Sequence, residues 1–154
     1  MKTKITKILV ASSLLIGLMG CEIATPVVPG GSYEGLTSTD PNKARIFIYR
    51  DKAFAGSANQ YDVMLNGTLV GSLPNGSFFS IDTDPGEKKI EPRTLTSFGF
   101  GKGSTINVEQ SQSYCLKLTL NFCVQCKSAD INPVDNKQCA DEMKSLKKVR
   151  LKKR

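Results

Sequence analysis

The residues of this 154-residue chain with the clearest chemical potential are its five cysteines. Four of them share one C-terminal stretch, in which Cys123 and Cys126 form a Cys-x-x-Cys pair between Cys115 and Cys139. In an oxidising compartment such a set can form two disulfides, with three connectivities open. It can also bind zinc through four thiolates. A thioredoxin-like redox pair is a third interpretation, but that chemistry places the pair at a helix N-terminus, whereas these cysteines follow a predicted strand.

The spacing of the four cysteines favours disulfides over zinc. A second Cys-x-x-Cys pair, which would complete a typical four-thiolate zinc site, is missing from the sequence. A straight strand would hold Cys115 and Cys123 roughly 26 Å apart, so that pairing would need an intervening turn. A bridge from Cys139 back to the sheet is therefore preferred. We expect Cys115, Cys123, Cys126 and Cys139 to be oxidised, and we expect no metal and no cofactor.

The fifth cysteine, Cys21, ends the stretch Leu18-Met19-Gly20-Cys21. Lysines at positions 2, 4 and 7 precede a mainly apolar run over residues 8–19. A helix of that length spans roughly 18 Å, too short for a ~30 Å hydrocarbon core, so the run is typical of a secretory signal. An ordinary signal, or a buried helix, beside a chance cysteine is the alternative.

The end of this run resembles the signal of bacterial lipoproteins. Leu18 lies three residues before the cysteine and the small Gly20 directly before it, although Met19 is bulkier than the residue usual there. The resemblance implies cleavage between Gly20 and Cys21 and acylation of Cys21, and two or three acyl chains make membrane anchoring stable. Because Glu22 rather than Asp follows, the resemblance also implies a lipid-anchored envelope protein on the outer membrane, facing the periplasm.

The net charge of +7 comes from the two ends of the chain. Residues 22–140 contain eleven basic and twelve acidic side chains, so this part is near neutral and nucleic acid is not expected as a partner. Six basic residues close the sequence and could contact an anionic surface: Lys147, Lys148, Arg150, Lys152, Lys153 and Arg154. The alternative is a solvated helix end followed by a frayed tail.

The sequence contains few residues arranged as catalytic groups. It has no histidine, the usual proton shuttle near neutral pH, and its serines fall in predicted turns without an evident base. The glycine-rich stretch 99–104 lacks the P-loop spacing and any surrounding βαβ unit. Asp82, Asp84 and Glu87 surround a Pro-Gly turn without the spacing of a calcium loop. We therefore expect no enzymatic activity.

From residue 44 the chain alternates short strands with turns. Residues 44–50 are β-branched and aromatic, and Asn66-Gly67 is a strong hairpin signal between two alternating runs. Strands recurring about every ten residues predict a mainly β protein, a compact antiparallel β-sandwich of about six to eight strands. Asp135 can cap a C-terminal helix in which Cys139, Met143 and Leu146 share one face.

These patterns divide the chain into four parts. Residues 1–20 form the signal peptide, and residues 21–43 form a lipidated Cys21 with a flexible linker rich in Pro and Gly. An ordered N-terminal segment wrapped around the domain is the alternative for the linker. Residues 44–134 form the β-sandwich, and residues 135–154 form a basic C-terminal helix and tail.

The middle of the chain resembles the bacterial small-lipoprotein family catalogued as domain of unknown function twenty-eight forty-six. The resemblance rests on Ala44-x-Ile-Phe-Ile-Tyr-Arg50, on the hairpin pattern from Val63 to Phe78, and on Pro85-Gly86 before a charged strand. It covers about residues 44–120 and implies a compact β-sandwich, often behind a lipoprotein signal. It supplies no reaction and no catalytic residues.

Together these observations predict a membrane-anchored envelope lipoprotein with a non-enzymatic binding or structural role. Its first partner is the lipid bilayer through acylated Cys21, and an envelope protein or a cell-wall partner is a further expectation. The alternative is a module that binds cell-wall glycan or a small molecule. Exposed aromatic residues such as Tyr61 or Phe98 on one sheet face would favour that alternative.

Overall fold

A computed structural model describes residues 31–37, 40–93, 101–122 and 127–151 of the chain. Nearly all of its regular structure is β, with one short helix. In chain order the elements are β1 (Ala44–Arg50), β2 (Tyr61–Leu65), β3 (Thr68–Leu73), β4 (Ser77–Thr83), β5 (Gly86–Arg93), β6 (Ser104–Val108), β7 (Ser113–Phe122), β8 (Lys127–Val134), α1 (Asn136–Met143) and β9 (Lys147–Lys148).

Within the described residues these strands form two sheets that pack face to face. One has the order β8-β7-β1-β4-β9 and is called sheet 1 below, and the other, sheet 2, has the order β3-β2-β5-β6. Most neighbouring strands are antiparallel, but β1 runs parallel to β7 and β4 runs parallel to β9. The predicted mainly β sandwich with a C-terminal helix is confirmed, with two parallel pairings that the hairpin signals did not indicate.

The apolar side chains form two clusters on opposite faces of sheet 1. Because side chains alternate along a strand, Leu116 and Leu118 of β7 enter the main core between the sheets, while Cys115 faces outward. Helix α1 covers that outer face and adds Cys139 and Met143 to the outer cluster. Cys115 is therefore buried under the helix, with only 2% of the residue exposed.

Helix α1 is shorter and less basic than the sequence predicted. Asp135 caps it by accepting a hydrogen bond from the Gln138 amide at 2.9 Å, as expected. The helix ends at Met143, so the closing basic residues lie outside it. The chain then turns and adds β9 to the edge of sheet 1. In the described ranges no helix has the length and apolar character needed to span a membrane.

The N-terminal segment also differs from the prediction. Residues 21–43 were expected to form a flexible linker, but residues 31–37 and 40–43 lie against the domain. Tyr33 packs edge-to-face on Phe78 with ring centroids 6.0 Å apart, and Leu36 joins the outer cluster. The Arg45 guanidinium donates to the Thr37 carbonyl at 2.8 Å. This part of the chain follows the alternative interpretation, an ordered wrap.

Candidate functional site

One end of the sandwich combines a buried cation, an exposed aromatic ring and surface lysines that form no ion pair with a described residue. It is formed by the loop 51–60, the turn 74–76 and the start of β9, and is called the loop end below. The sheet register brings these segments together, because Arg50 pairs with Ser77 and Ser77 pairs in turn with Lys147.

Arg50 is the centre of the loop end. Its side chain is almost fully buried, with 2% exposed, and its guanidinium lies 4.9 Å above the ring of Tyr61. It donates hydrogen bonds to the carbonyl oxygens of Gly56 at 2.7 Å and Asn59 at 2.6 Å. Burial lowers the pKa of Arg50, and among the described residues no carboxylate pairs with it. The buried cation is therefore compensated by loop carbonyls, which fixes the path of the loop.

Asn75 holds the other side of the same loop. Its side-chain oxygen accepts from the Ala53 amide at 3.0 Å, and its side-chain nitrogen donates to the Ala53 carbonyl at 2.8 Å. Two tight turns, Ser57 N to Phe54 O at 3.2 Å and Asn59 N to Gly56 O at 3.0 Å, complete the loop. The loop is thus tied to both β1 and the turn before β4.

This ordered loop presents Phe54 to solvent. Phe54 is 99% exposed and is the only large hydrophobic side chain so exposed within the described ranges. Lys52, two residues earlier, is also exposed and lies beside Gly76. Gly76 has a φ of 67°, in the region that favours glycine, so it allows the tight turn against which Lys52 lies.

Strand β9 adds further lysines to the loop end. The Lys147 amide donates to the Gly76 carbonyl at 3.1 Å, and the Val149 amide donates to the Phe78 carbonyl at 2.8 Å. Val149 is buried in the main core, and Leu151 packs against it. A Cβ atom at Gly71 would lie 2.7 Å from the Leu151 side chain, so Gly71 leaves the space that Leu151 fills.

The predicted anionic-surface residues are therefore only partly in the positions expected. Lys147 and Lys148 belong to a strand, and Val149 and Leu151 are packed against the main core rather than frayed. Lys147 and Arg150 are nevertheless exposed and Lys148 is half-buried, and none of the three forms an ion pair with a described residue. Lys152, Lys153 and Arg154 lie outside the described residues.

The N-terminal segment joins the domain at the same place. The Lys148 amide donates to the Gly31 carbonyl at 3.2 Å, so the first described residue lies alongside β9. From there the segment runs past Phe78 toward residues 40–45. Gly20 and Cys21, the predicted cleavage and lipidation residues, lie outside the described part of the chain.

A polar cluster beneath α1 binds the carboxylates that lie near the loop end. The ammonium group of Lys117 lies 2.6 Å from Asp51 and 2.7 Å from Glu142, and the Tyr49 hydroxyl donates to Glu142 at 2.7 Å. Partial burial opposes the ionisation of Glu142, but hydrogen bonds from Lys117, Tyr49 and Gln138 outweigh it and lower its pKa to about 2. Burial and the Glu142 hydrogen bond raise the pKa of Tyr49. The cluster therefore holds fixed charges near neutral pH and fastens the helix to sheet 1.

The described cysteines form a disulfide. Cys115 and Cys139 are joined, with their Cα atoms 6.1 Å apart, so the helix is bonded to β7 as the preferred pairing requires. Cys123 and Cys126 lie outside the described residues. A zinc site that needs all four thiolates is incompatible with this bond. In the described ranges no three Cys, Asp or Glu side chains are grouped to hold a metal ion.

Two aromatic residues were expected to indicate a ligand-binding face. Tyr61 is buried beneath Arg50 with 8% exposed, so it lines no open surface. Phe98 lies outside the described residues. Sequence reasoning missed the exposed Phe54 instead. A lone aromatic ring in a loop of small residues was the available signal.

A polar groove lies at the other end of the sandwich. It has about 500 Å³ of water-accessible space and is lined by residues that include Leu36, Ser113 and Asn136. The Asn136 side chain donates to the Ser113 carbonyl at 3.1 Å, and the Ser113 hydroxyl donates to the Leu36 carbonyl at 3.3 Å. These bonds fasten the N-terminal segment to β7 and α1, so the polar groups of the groove stabilise the fold.

Comparison with known proteins identifies one family. A family model described as a protein of unknown function, DUF2846, matches residues 40–129, more than half of the chain. No curated protein and no solved structure gives a significant match. The matched range includes Arg50, Phe54 and Asn75 and ends before α1 and β9.

Proposed function

This chain belongs to the DUF2846 family of unknown function, and we propose that it is an envelope lipoprotein of that family with a non-enzymatic role. In this proposal Cys21 carries the lipid and the sandwich is held close to the membrane in the periplasm. Glu22 after Cys21 favours the outer membrane, and a disulfide between Cys115 and Cys139 suits an oxidising compartment.

The observation that carries the proposal is the position of Gly31. Its contact with Lys148 places the first described residue, ten positions after Cys21, beside basic side chains that form no ion pair with a described residue. With the flexible linker that the sequence predicts, ten residues have an r.m.s. reach of about 18 Å. Acylated Cys21 would therefore hold the loop end, rather than the other end of the sandwich, next to the bilayer.

The polar groups of the domain support a role other than catalysis. Lys117, Glu142 and Tyr49 bind one another, and none of them has a pKa moved toward neutrality. The guanidinium of the buried Arg50 donates hydrogen bonds to loop carbonyls. These groups stabilise the fold, and the exposed loop end is a surface that can act without them.

Replacement of Cys21 tests the proposal. Cys21→Ala should abolish labelling by radioactive palmitate, and the protein should leave the membrane fraction while its Cys115–Cys139 bond still forms. Cys139→Ala is the matched control, because it removes a cysteine without removing the lipid attachment and should keep the label. Palmitate labelling of Cys21→Ala at the wild-type level would refute the proposal.

A further inference from the structure

We propose that the loop end is a membrane-docking surface for an anionic phospholipid bilayer. Phe54 enters the headgroup region, and Lys52 and Lys147 lie among the lipid phosphates. The orientation toward the bilayer rests on the proposed lipid attachment at Cys21, whereas the contact itself rests on described residues.

The first argument is the way in which Phe54 is presented. A fully exposed phenylalanine adds no burial energy to the fold. On a mobile loop, such a ring could turn toward an apolar surface of the domain. Here Arg50 and Asn75 fix the loop on both sides, so Phe54 is held outward with 99% of its surface in water. An aromatic ring held outward on an ordered loop can insert into the membrane interface, where aromatic residues are favoured.

The second argument is the charge around Phe54. Lys52 lies beside Gly76, and the Lys147 amide bonds to Gly76, so both lysines flank the same turn. Neither forms an ion pair with a described residue. The carboxylates of Asp51 and Glu142 are bound to Lys117 instead. The surface therefore presents an apolar ring beside lysines that form no ion pair with a described residue, which complements anionic headgroups.

The third argument is shape and position. Phe54 projects from the loop with 99% of its surface exposed, whereas small-molecule sites are concave clefts. The loop also lies at the end where the N-terminal segment meets the domain beside Lys148. A bilayer that holds the lipid of Cys21 would be within reach of Phe54, so the occupant we assign is the bilayer itself.

The absence of tryptophan from the sequence allows a direct test. Phe54→Trp introduces a single tryptophan at the exposed position, and Gln110→Trp places one on an exposed turn at the opposite end as the matched control. Each full mature lipidated protein is reconstituted into vesicles of phosphatidylcholine with phosphatidylglycerol. Emission wavelength and quenching by lipids brominated high in the acyl chains are then measured, and flotation with the vesicles is recorded separately.

We expect Phe54→Trp to emit at shorter wavelength and to be quenched, while Gln110→Trp stays unquenched. Adding Lys52→Gln and Lys147→Gln to Phe54→Trp should weaken insertion by about fivefold per lysine at low salt. Pure phosphatidylcholine vesicles should give weaker quenching of Phe54→Trp.

Three outcomes would overturn the inference. The first is Phe54→Trp behaving like Gln110→Trp in protein that floats with the vesicles, which leaves lipid attachment intact. The second is equal quenching in vesicles without phosphatidylglycerol, which removes the role of anionic lipid. The third is a spectral shift with purified cell-wall sacculi but not with vesicles, which assigns another occupant. A failure of the lipidated protein to float would instead count against the proposed function.

Discussion

The turn end is the end of the sandwich formed by residues 40–45, the turn 84–85 and residues 109–112. Basic side chains there are bound to carboxylates. Lys43 lies 2.5 Å from Asp84, and Arg45 makes two hydrogen bonds to Asp82, at 2.6 and 2.8 Å. At the loop end, by contrast, Lys52 and Lys147 make no ion pair with a described residue.

The two ends are also fastened by different interactions. Toward the turn end, a disulfide joins β7 to α1 and ion pairs close the surface. The loop end is held by the buried Arg50, by Asn75 and by the backbone bonds of β9. Because the Arg50 guanidinium, the Asn75 side chain and backbone groups order the loop end, its exposed Lys52 and Lys147 are not used in ion pairs with described residues.

The largest effect on stability is expected from the disulfide. Replacing Cys115 and Cys139 together with alanine should lower the free energy of unfolding by about 3 kcal/mol, because the bond spans 24 residues of sequence. Urea unfolding monitored by circular dichroism measures the loss. Vesicle contact by the loop end should be unchanged, since Arg50 and Asn75 are independent of the bond.

Wild-type protein treated with a thiol reductant is the control for this double variant and should lose comparable stability. If the double variant keeps its stability but loses vesicle contact, the two ends are not independent and the comparison between them fails.

The next effect concerns the C-terminal strand. Val149→Ala should cost about 2 kcal/mol, because it removes apolar volume from the main core. It should also loosen Lys147 from the turn at Gly76, so hydrogen exchange of the Lys147 amide should become faster. Arg150→Ala, at the exposed neighbouring position, is the matched control and should change stability by less than about 0.5 kcal/mol. Equal losses in the two variants would mean that β9 does not order the loop end.

The strands were predictable because their signals are local. The Asn66-Gly67 turn has φ values of 48° and 78°, as its residue types indicate, and the alternation of residues in β7 places Leu116 and Cys115 on opposite faces of sheet 1. The burial of Cys139, Met143 and Leu146 on one surface also followed from their spacing. In each case the information lies within about ten residues.

The parts that were missed depend on distant partners. Two lysines at positions 147 and 148 carry no strand signal, and they pair only because the edge of β4 is open beside them. The pairing of β1 with β7 joins residues far apart in sequence, so no local pattern indicates its direction. The role of Arg50 likewise depends on loop carbonyls that only the folded chain brings above its side chain.

The smallest expected effect concerns how the free energy of unfolding depends on acid pH at each of the two ends. The pKa of Glu142, about 2, lies below its ordinary value of 4.5, so folding favours the charged form. The resulting stability is complete above about pH 4.5 and is lost as the pH falls toward 2. Its size should be on the order of 1 kcal/mol, because Glu142 is only partly buried and solvent screens its ion pair with Lys117.

Glu142→Gln should therefore flatten the dependence of unfolding free energy on pH between about 4.5 and 2, measured by urea titration at each pH. Asp84→Asn is the matched variant at the turn end. The Lys43 ion pair lowers the pKa of Asp84 too, but Asp84 is largely exposed, so this variant should flatten the profile less. If Asp84→Asn has the larger effect, the charges of the turn end matter more for stability than the cluster under α1.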